Sequence, residues 1–380
     1  MNSRRTRLGS ALGVILTVLV LVPTGVLFAR VWQDNADRHD STQLERQGVE
    51  YLGALNPLLS SLAEYESSAL QGVPEQPDTL KAALAGVSEV DGRLGDALHT
   101  KERWASLQDK IGKLGKADGG QLAVYQAHTE VTDLMLALYG EVRRNSHLNR
   151  DPDNDISNLQ EASAIDMPTT IVLVSRMGDL ANILQSTSGS TRASVSIQFG
   201  EEVLAVQDQV NSLTDNLQAA VDDTKSPTLS GNLVSTLDAF RRGVESMTRG
   251  ANPGGAPNVA TMSTAQSSLQ TALNSLSGVT LREMDGLLDD RASNTTYRRT
   301  EAIVVALVAV GLVLVALIWP AMGRRREPAP IAPPRQGGEP TRDVAMNTPA
   351  GGPVYGNSYD QGPYGGPVDP TQRERSGALR

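Results

Sequence analysis

The densest set of side chains that could do chemistry is the run Asp151-Pro152-Asp153-Asn154-Asp155. Its acids fall at the first, third and fifth places of a calcium-loop pattern, where carboxylate oxygens suit a hard divalent cation. The pattern then breaks, because Ile156 stands where the loop needs glycine for its sharp turn. Ala162 occupies the twelfth place, and Glu161 comes one residue early. Asp151, Asp153 and Asp155 are therefore metal candidates by type but not by register. The expectation is a turn whose last acid, Asp155, caps a following helix and complements its dipole.

Little else in the chain has the makings of a reactive site. The histidines His39, His99, His128 and His147 include no pair at helical spacing, and only His128 falls on an apolar seam, where a hydrogen-bonded bundle residue is the expectation. Cysteine is absent, which excludes disulfides, thiolate catalysis and thiolate metal sites. Asp222-Asp223 and Asp289-Asp290 read as solvated charge on polar helix faces. No phosphate-cradling glycine loop or nucleophile elbow occurs. No catalytic residue, resident metal or cofactor is expected, and the chain does not read as an enzyme.

The elements that would position these residues are set out by two uncharged apolar runs, Leu8 to Ala29 and Ala302 to Gly323. Each is long enough to cross a hydrocarbon core of about 30 Å at about 1.5 Å per residue. Arg4, Arg5 and Arg7 precede the first run and Arg324, Arg325 and Arg326 follow the second. The positive-inside bias thus predicts a two-pass bacterial plasma-membrane protein with both termini cytoplasmic. Residues 1–7 form the N-terminus, 8–29 and 301–323 the two transmembrane helices, and 30–300 an extracytoplasmic domain. The first run exceeds the about 7–15 apolar residues of a cleaved signal, and Leu27 fits poorly three before a cut, so retention is expected. Trp32 and Trp319 lie at the ends of the runs, where an aromatic belt would sit.

Charge is uneven. The whole chain carries −9; residues 1–29 carry +3 and residues 300–380 carry +1, which leaves −13 for the segment between them. A field of that sign repels polyanions and excludes nucleic acid as a partner.

The segment between the runs reads as helices with apolar steps of three and four. From Leu44 the seam is Gly48, Tyr51, Leu55, Leu58, Leu62, Tyr65 and Ala69, with Pro57 predicted to kink it near Asn56. A second helix is predicted from Asp78 or Thr79 to about Gly115, and a third after Asp118-Gly119-Gly120 through His128, Met135 and Val142 to about His147. A fourth starts near Asp155 and, for want of breakers before Ser226-Pro227, is predicted to run about 70 residues. The fifth spans about Thr228 to Arg249, and the last starts near Val259 and continues into the second apolar run. The fold class is all-α: an elongated antiparallel helical bundle, with a division into modules 30–150 and 151–300 left open. Residues 324–380 are expected to be a disordered cytoplasmic tail, because 327–380 holds ten prolines and nine glycines with hardly any aliphatic pattern.

Three stretches carry a family likeness. Leu44-Glu45-Arg46-Gln47-Gly48-Val49-Glu50-Tyr51-Leu52 with Leu55-Asn56-Pro57-Leu58-Leu59, the turn Asp151 to Asp155 with Met167-Pro168, and Leu287-Leu288-Asp289-Asp290-Arg291 before Arg298-Arg299 are the residues concerned. They resemble the N-terminal helical-bundle sensory region of bacterial methyl-accepting chemotaxis receptors and sensor histidine kinases. That resemblance implies a sensory bundle between two membrane helices. Ile156-Ser157-Asn158-Leu159 replaces the family's Ser-Tyr-Tyr-Leu after the turn, and no methylation helices, kinase core or cyclase domain follow Arg326. The expected function is a receptor-like membrane protein whose bundle binds a ligand or protein and signals through a separate partner. The alternative is a structural or scaffolding envelope protein. Expected partners are the membrane and a cytoplasmic signalling or envelope protein, with homodimerisation open and the ligand unknown.

Overall fold

The computed structural model describes residues 2–117, 119–149, 151–224, 226–252 and 255–322, with side chains described except at 2–18, 20 and 316–322. Among the described residues the regular structure is helical throughout. The helices are α1 (Asn2–Leu70), α2 (Asp78–Leu94), α3 (Lys101–Ile111), α4 (Gln121–Asn145), α5 (Asn154–Glu161), α6 (Met167–Ser186), α7 (Gly189–Asp223), α8 (Leu229–Ala251) and α9 (Val259–Met322). A 3-10 turn at Leu114–Lys116 precedes α4, and a π turn at Ala162–Asp166 joins α5 to α6.

The seam read from Leu44 onward is what seats α1. Tyr51, Leu55, Leu58, Leu62 and Tyr65 are buried, as are His128, Val131, Met135, Leu138 and Val142 on α4. The two helices run antiparallel, since Gln121 Nε2 donates to the last carbonyl of α1, Leu70 O, at 3.0 Å, and Tyr139 Oη donates to Asn56 Oδ1 at 2.7 Å. That first bond also satisfies one of the carbonyls a helix end leaves open. Pro57 does not end α1, which continues to Leu70. Beside it Asn56 ties three helices, accepting from Tyr139 and donating through Nδ2 to Ser277 Oγ on α9.

α6 is the innermost helix. Its buried residues surround the axis, from Met167 and Ile171 through Val174 and Gly178 to Leu184, as expected for a helix apolar on every side. It packs on α1, α4 and α7. The packing draws no boundary at residue 150, because helices from both sides of that position share one apolar core. Residues Met1–Ala321 form one unit.

Two predicted helices are broken, for identifiable reasons. The fourth reverses at Ser186 to Gly189, where Thr187 and Ser188 are extended and Gly189 adopts φ +60°, a conformation only glycine takes without strain. The return lets α7 lay Val195, Phe199 and Val206 back against α6. The second helix stops at Leu94 and restarts at Lys101, because His99 turns to φ +52° while Thr100 Oγ1 and Tyr51 Oη both donate to the buried Asp91 Oδ1, at 2.6 and 2.8 Å. The π turn has a cause too. Pro168 has no N–H to donate and its ring crowds the preceding turn, which a wider turn relieves.

The expectation of two transmembrane helices, and with it a two-pass plasma-membrane location with an extracytoplasmic domain, does not stand. Among the described residues no helix is long and apolar enough to cross a membrane. Parts of both runs, the flanking arginines at 4, 5 and 7 and at 324–326, the Trp319 side chain and the tail 324–380 lie outside the described residues and side chains. Most of the described apolar side chains of both segments, including Leu19, Leu27, Val304 and Leu312, are exposed, and Phe28 and Val313 are half-buried.

α8 lies antiparallel to α9, and Gly243 sets their separation. A Cβ there would meet Leu269 Cδ1 at 3.0 Å and its Cα at 3.1 Å. Gly243→Ala is therefore expected to destabilise the bundle by about 1–2 kcal/mol, because overpacking against backbone outweighs the roughly 1 kcal/mol that alanine gains in helix propensity. Urea unfolding checks it; a stabilised variant would show that α8 moves off α9 without penalty.

Candidate functional site

The three stretches that carry the resemblance converge at one end of the bundle, beside the point where α1 and α9 leave it. Arg291 on α9 is the centre. Its Nη1 and Nη2 donate to Asp151 Oδ2 and Oδ1 at 2.8 and 2.5 Å, a two-pronged pair, while Nη2 also reaches Asp153 Oδ2 at 2.7 Å and Nη1 reaches Glu45 Oε2 at 3.2 Å. The Asp151 side chain is fully buried, and Arg291 is 19% exposed. Burial opposes the Arg291 charge, but the hydrogen bonds and charge of Asp151 outweigh it, so its pKa lies above the ordinary value. Glu45 is pushed up to about 7, by burial first and then by the Asp151 charge, against the pull of Arg291.

The cation held by Asp151 and Asp153 is thus a guanidinium of the chain itself. Asp151 Oδ1 also accepts from the Asp153 backbone N–H at 2.8 Å, which closes the turn. Asp155 does not join them. Its Oδ1 accepts from the Ile156 N–H at 2.9 Å and its Oδ2 from Thr224 Oγ1 at 3.1 Å, which ties the start of α5 to the end of α7. The residue before α5 is Asp153, whose side chain makes no capping bond, so Asp155 sits inside the first turn and not at the cap. Among the described residues no group of three histidines or acids is placed to hold a metal ion.

Neighbouring residues of the same motifs extend the network along α1 and α9. Arg46 Nε and Nη1 donate to Asp285 Oδ1 and Asp289 Oδ1, both at 2.9 Å. Gly48 lets α1 approach the end of α4, since a Cβ there would overlap Ser146. Asn35 Nδ2 donates to Thr295 O at 3.3 Å, and the Arg299 guanidinium lies 4.3 Å from the Trp32 ring centre. A crevice of about 1040 Å³ opens beside Arg291, lined by Asp153, Asp155, Asp223, Arg282, Asp290 and Arg298 among others. It mixes both signs of charge, and on its wall the Thr228 and Ser226 hydroxyls donate to Glu283 Oε2 at 2.9 and 3.4 Å.

A second set of polar side chains lies inside the bundle; His128 was expected there, though hydrogen-bonded, and Glu66 and Asp179 were not. Glu66 on α1, His128 on α4 and Asp179 on α6 are at most 1% exposed, and Glu66 Oε1, His128 Nε2 and Asp179 Oδ1 have no hydrogen-bond partner. Burial and the Asp179 charge raise Glu66 well above the carboxylate range, against Arg176. Burial pushes Asp179 up to about 8, opposed by the Ser175 hydroxyl, and pushes His128 down to about 4. His128 meets the Tyr65 ring edge-on at 5.1 Å. The signal was present in α6, because a charge inside a helix that is apolar on all sides has nowhere to go but the core. His39 and His99 join neither cluster, and His147 Nδ1 lies 3.2 Å from Ser41 Oγ. Comparison with protein-family models, curated proteins and solved structures finds no match to the chain.

Proposed function

We infer that the chain is a receptor-like helical bundle that takes a ligand or a protein and passes a displacement along α1 and α9 to a separate protein. The observation that carries this reading is the continuity of those two helices. Each runs unbroken from the bundle core past the Arg291 cluster to its far end, and the two are clamped to each other at Arg46, Asn35 and Trp32. A movement of the Asp151 turn acts on α9 through Arg291 and on α1 through Glu45, so one local shift biases both rods. A rigid element biased by a distant site is the physical requirement for such coupling.

Because the chain has no cysteine, Leu27→Cys and Leu312→Cys place two spin labels on exposed faces of α1 and α9 without background. Probes from defined classes (amino acids, dicarboxylates, sugars, amines) are screened by thermal shift, where a ligand at about a hundred times its Kd adds roughly 2.7 kcal/mol. The expected result is a probe that raises the melting temperature and changes the label distance. Stabilising probes that leave the distance unmoved, or a screen in which none stabilises, overturn the reading.

A further inference from the structure

A groove of about 600 Å³ opens between α4, α6 and α7, away from the Arg291 cluster, and its chemistry is one-sided. Leu122, Leu173, Leu180 and Ala205 supply apolar surface, Tyr125 adds an aromatic ring, and Glu130, Glu201 and Glu202 are the charged residues lining it. The size falls in the range of small-molecule sites, about 300–1000 Å³, and so does the combination of apolar walls with a few polar groups. Two of the three acids lack a partner that would use up their charge. Glu130 pairs with Lys110 at 3.2 Å, but no ion pair is formed by Glu201 or Glu202 among the described residues. Glu202 Oε2 is buried and has no hydrogen-bond partner, a position that is costly unless something donates to it.

The positive charge nearest this site is engaged through one nitrogen, while its buried Nε has no partner. Arg176 donates through Nη2 to Asp133 Oδ1 at 2.6 Å, Thr132 Oγ1 at 2.9 Å and Thr129 O at 3.3 Å. Its field only partly offsets the burial that raises the Glu202 carboxyl, while Asp133 and Glu201 raise it further. Tyr125 is pushed up to about 12, by burial and then by the Glu202 charge, with Glu66 adding from behind the wall. The phenol is therefore neutral at any ordinary pH, and its ring face is available to a cation.

We propose that the groove between α4, α6 and α7 binds an organic ammonium ion, with the charged head donating to Glu202 and the hydrocarbon portion lying on Leu173, Leu180 and Ala205. A carboxylate ligand would be repelled by the same acids, and an inorganic cation would leave the apolar wall unused. The proposal rests on the reading of the chain as a ligand-binding bundle and names the class of ligand.

Isothermal titration of the full chain at pH 7 with phenethylammonium tests it, with phenylacetate and ammonium chloride as comparisons of equal ring or equal charge. Saturable binding of phenethylammonium is expected, with phenylacetate and ammonium ion at least tenfold weaker. Glu202→Gln should weaken binding by roughly tenfold or more, the size of one lost charged hydrogen bond. Ala205→Phe, which fills the floor and keeps every charge, should abolish it, with thermal melts confirming that both variants fold. No binding of phenethylammonium, equal binding of phenylacetate, or undiminished binding by Glu202→Gln overturns the proposal. Amine binding that leaves the α1–α9 label distance unmoved would sustain the site and sink the coupling; a different probe that moves the distance where the amine does not bind would do the reverse.

Discussion

Replacing Arg291 by methionine is expected to lower the stability of the bundle by about 3–5 kcal/mol, the loss seen when one partner of a buried ion pair is removed. For a chain of this size that is roughly a 10 °C fall in melting temperature. The reason is what the change leaves behind. Asp151 is fully buried and Glu45 nearly so, and both would face each other and Asp153 without a cation. Arg291→Lys should fall between, because an ammonium keeps the charge but cannot grip both oxygens of Asp151. The deficit of Arg291→Met should shrink as pH falls towards 5. Glu45 already holds its proton up to about 7 with Arg291 present, and losing the guanidinium makes protonation of the cluster the cheaper state. Millimolar calcium should leave the wild-type melting temperature within about a degree, since the oxygens a cation would use are engaged, and should recover part of the loss in Arg291→Met. A wild-type chain stabilised by calcium, or an Arg291→Met chain as stable as the parent at pH 7, would refute this account of the turn.

How far the sequence could see follows from which of these interactions are local. The seams of α1 and α4 are repeats of three and four, so Tyr51, Leu58, His128 and Met135 could be placed on buried faces directly. The turn at Asp151 was legible as a turn from its closely spaced acids, proline and asparagine. Its cation was not legible, because Arg291 lies 140 residues away and spacing carries no information across that distance. The reversal at Ser186 to Gly189 was missed because no proline marks it and the apolar repeat resumes on both sides. The local signal was the small polar run Ser186-Thr187-Ser188-Gly189-Ser190-Thr191, whose glycine takes the left-handed conformation and lets α7 fold back on α6. Glu66 escaped for a different reason. It stands beside the seam residue Tyr65 and reads as a solvated flank, but α1 is covered by α2, α4 and α6 on more than one stripe.

The membrane expectation failed differently. Its evidence was the length of two apolar runs, whereas among the described residues no helix is long and apolar enough to cross a membrane. Arg299 in turn has a local task, over the Trp32 ring. Trp32, read as the edge of an aromatic belt, is accounted for by that contact between α1 and α9.

The bundle is expected to lose stability as pH rises from about 4 to 8, and Asp179→Asn should remove much of that loss. An unfolded aspartate gives up its proton near its ordinary value of 3.8, whereas burial keeps Asp179 protonated in the fold up to about 8. Between those values the folded chain binds the extra proton, so the free energy of unfolding falls with pH by up to about 1.4 kcal/mol per pH unit for each such group. Glu66, raised by the same burial and by Asp179, adds to the slope. His128 acts in the opposite sense. Its folded pKa of about 4 lies below the ordinary 6.5, so between those values the unfolded chain binds the extra proton and stability rises with pH. The net fall should therefore be shallow below about pH 6.5 and steeper above it, where His128 no longer compensates. Asp179→Asn keeps the shape and removes the ionisation, so it should match the parent near pH 4 to within the cost of the new amide and exceed it increasingly as pH rises to 8. Urea unfolding at intervals across this range measures the slope directly. A parent profile that is flat or rises above pH 6.5, or an Asp179→Asn profile parallel to it, would show that the interior carboxyls are ionised in the fold. In that case Arg176, which already serves Asp133 and Thr132, would have to hold Glu66 and Asp179 as well, and the absence of any hydrogen bond from it to either carboxyl argues that it does not.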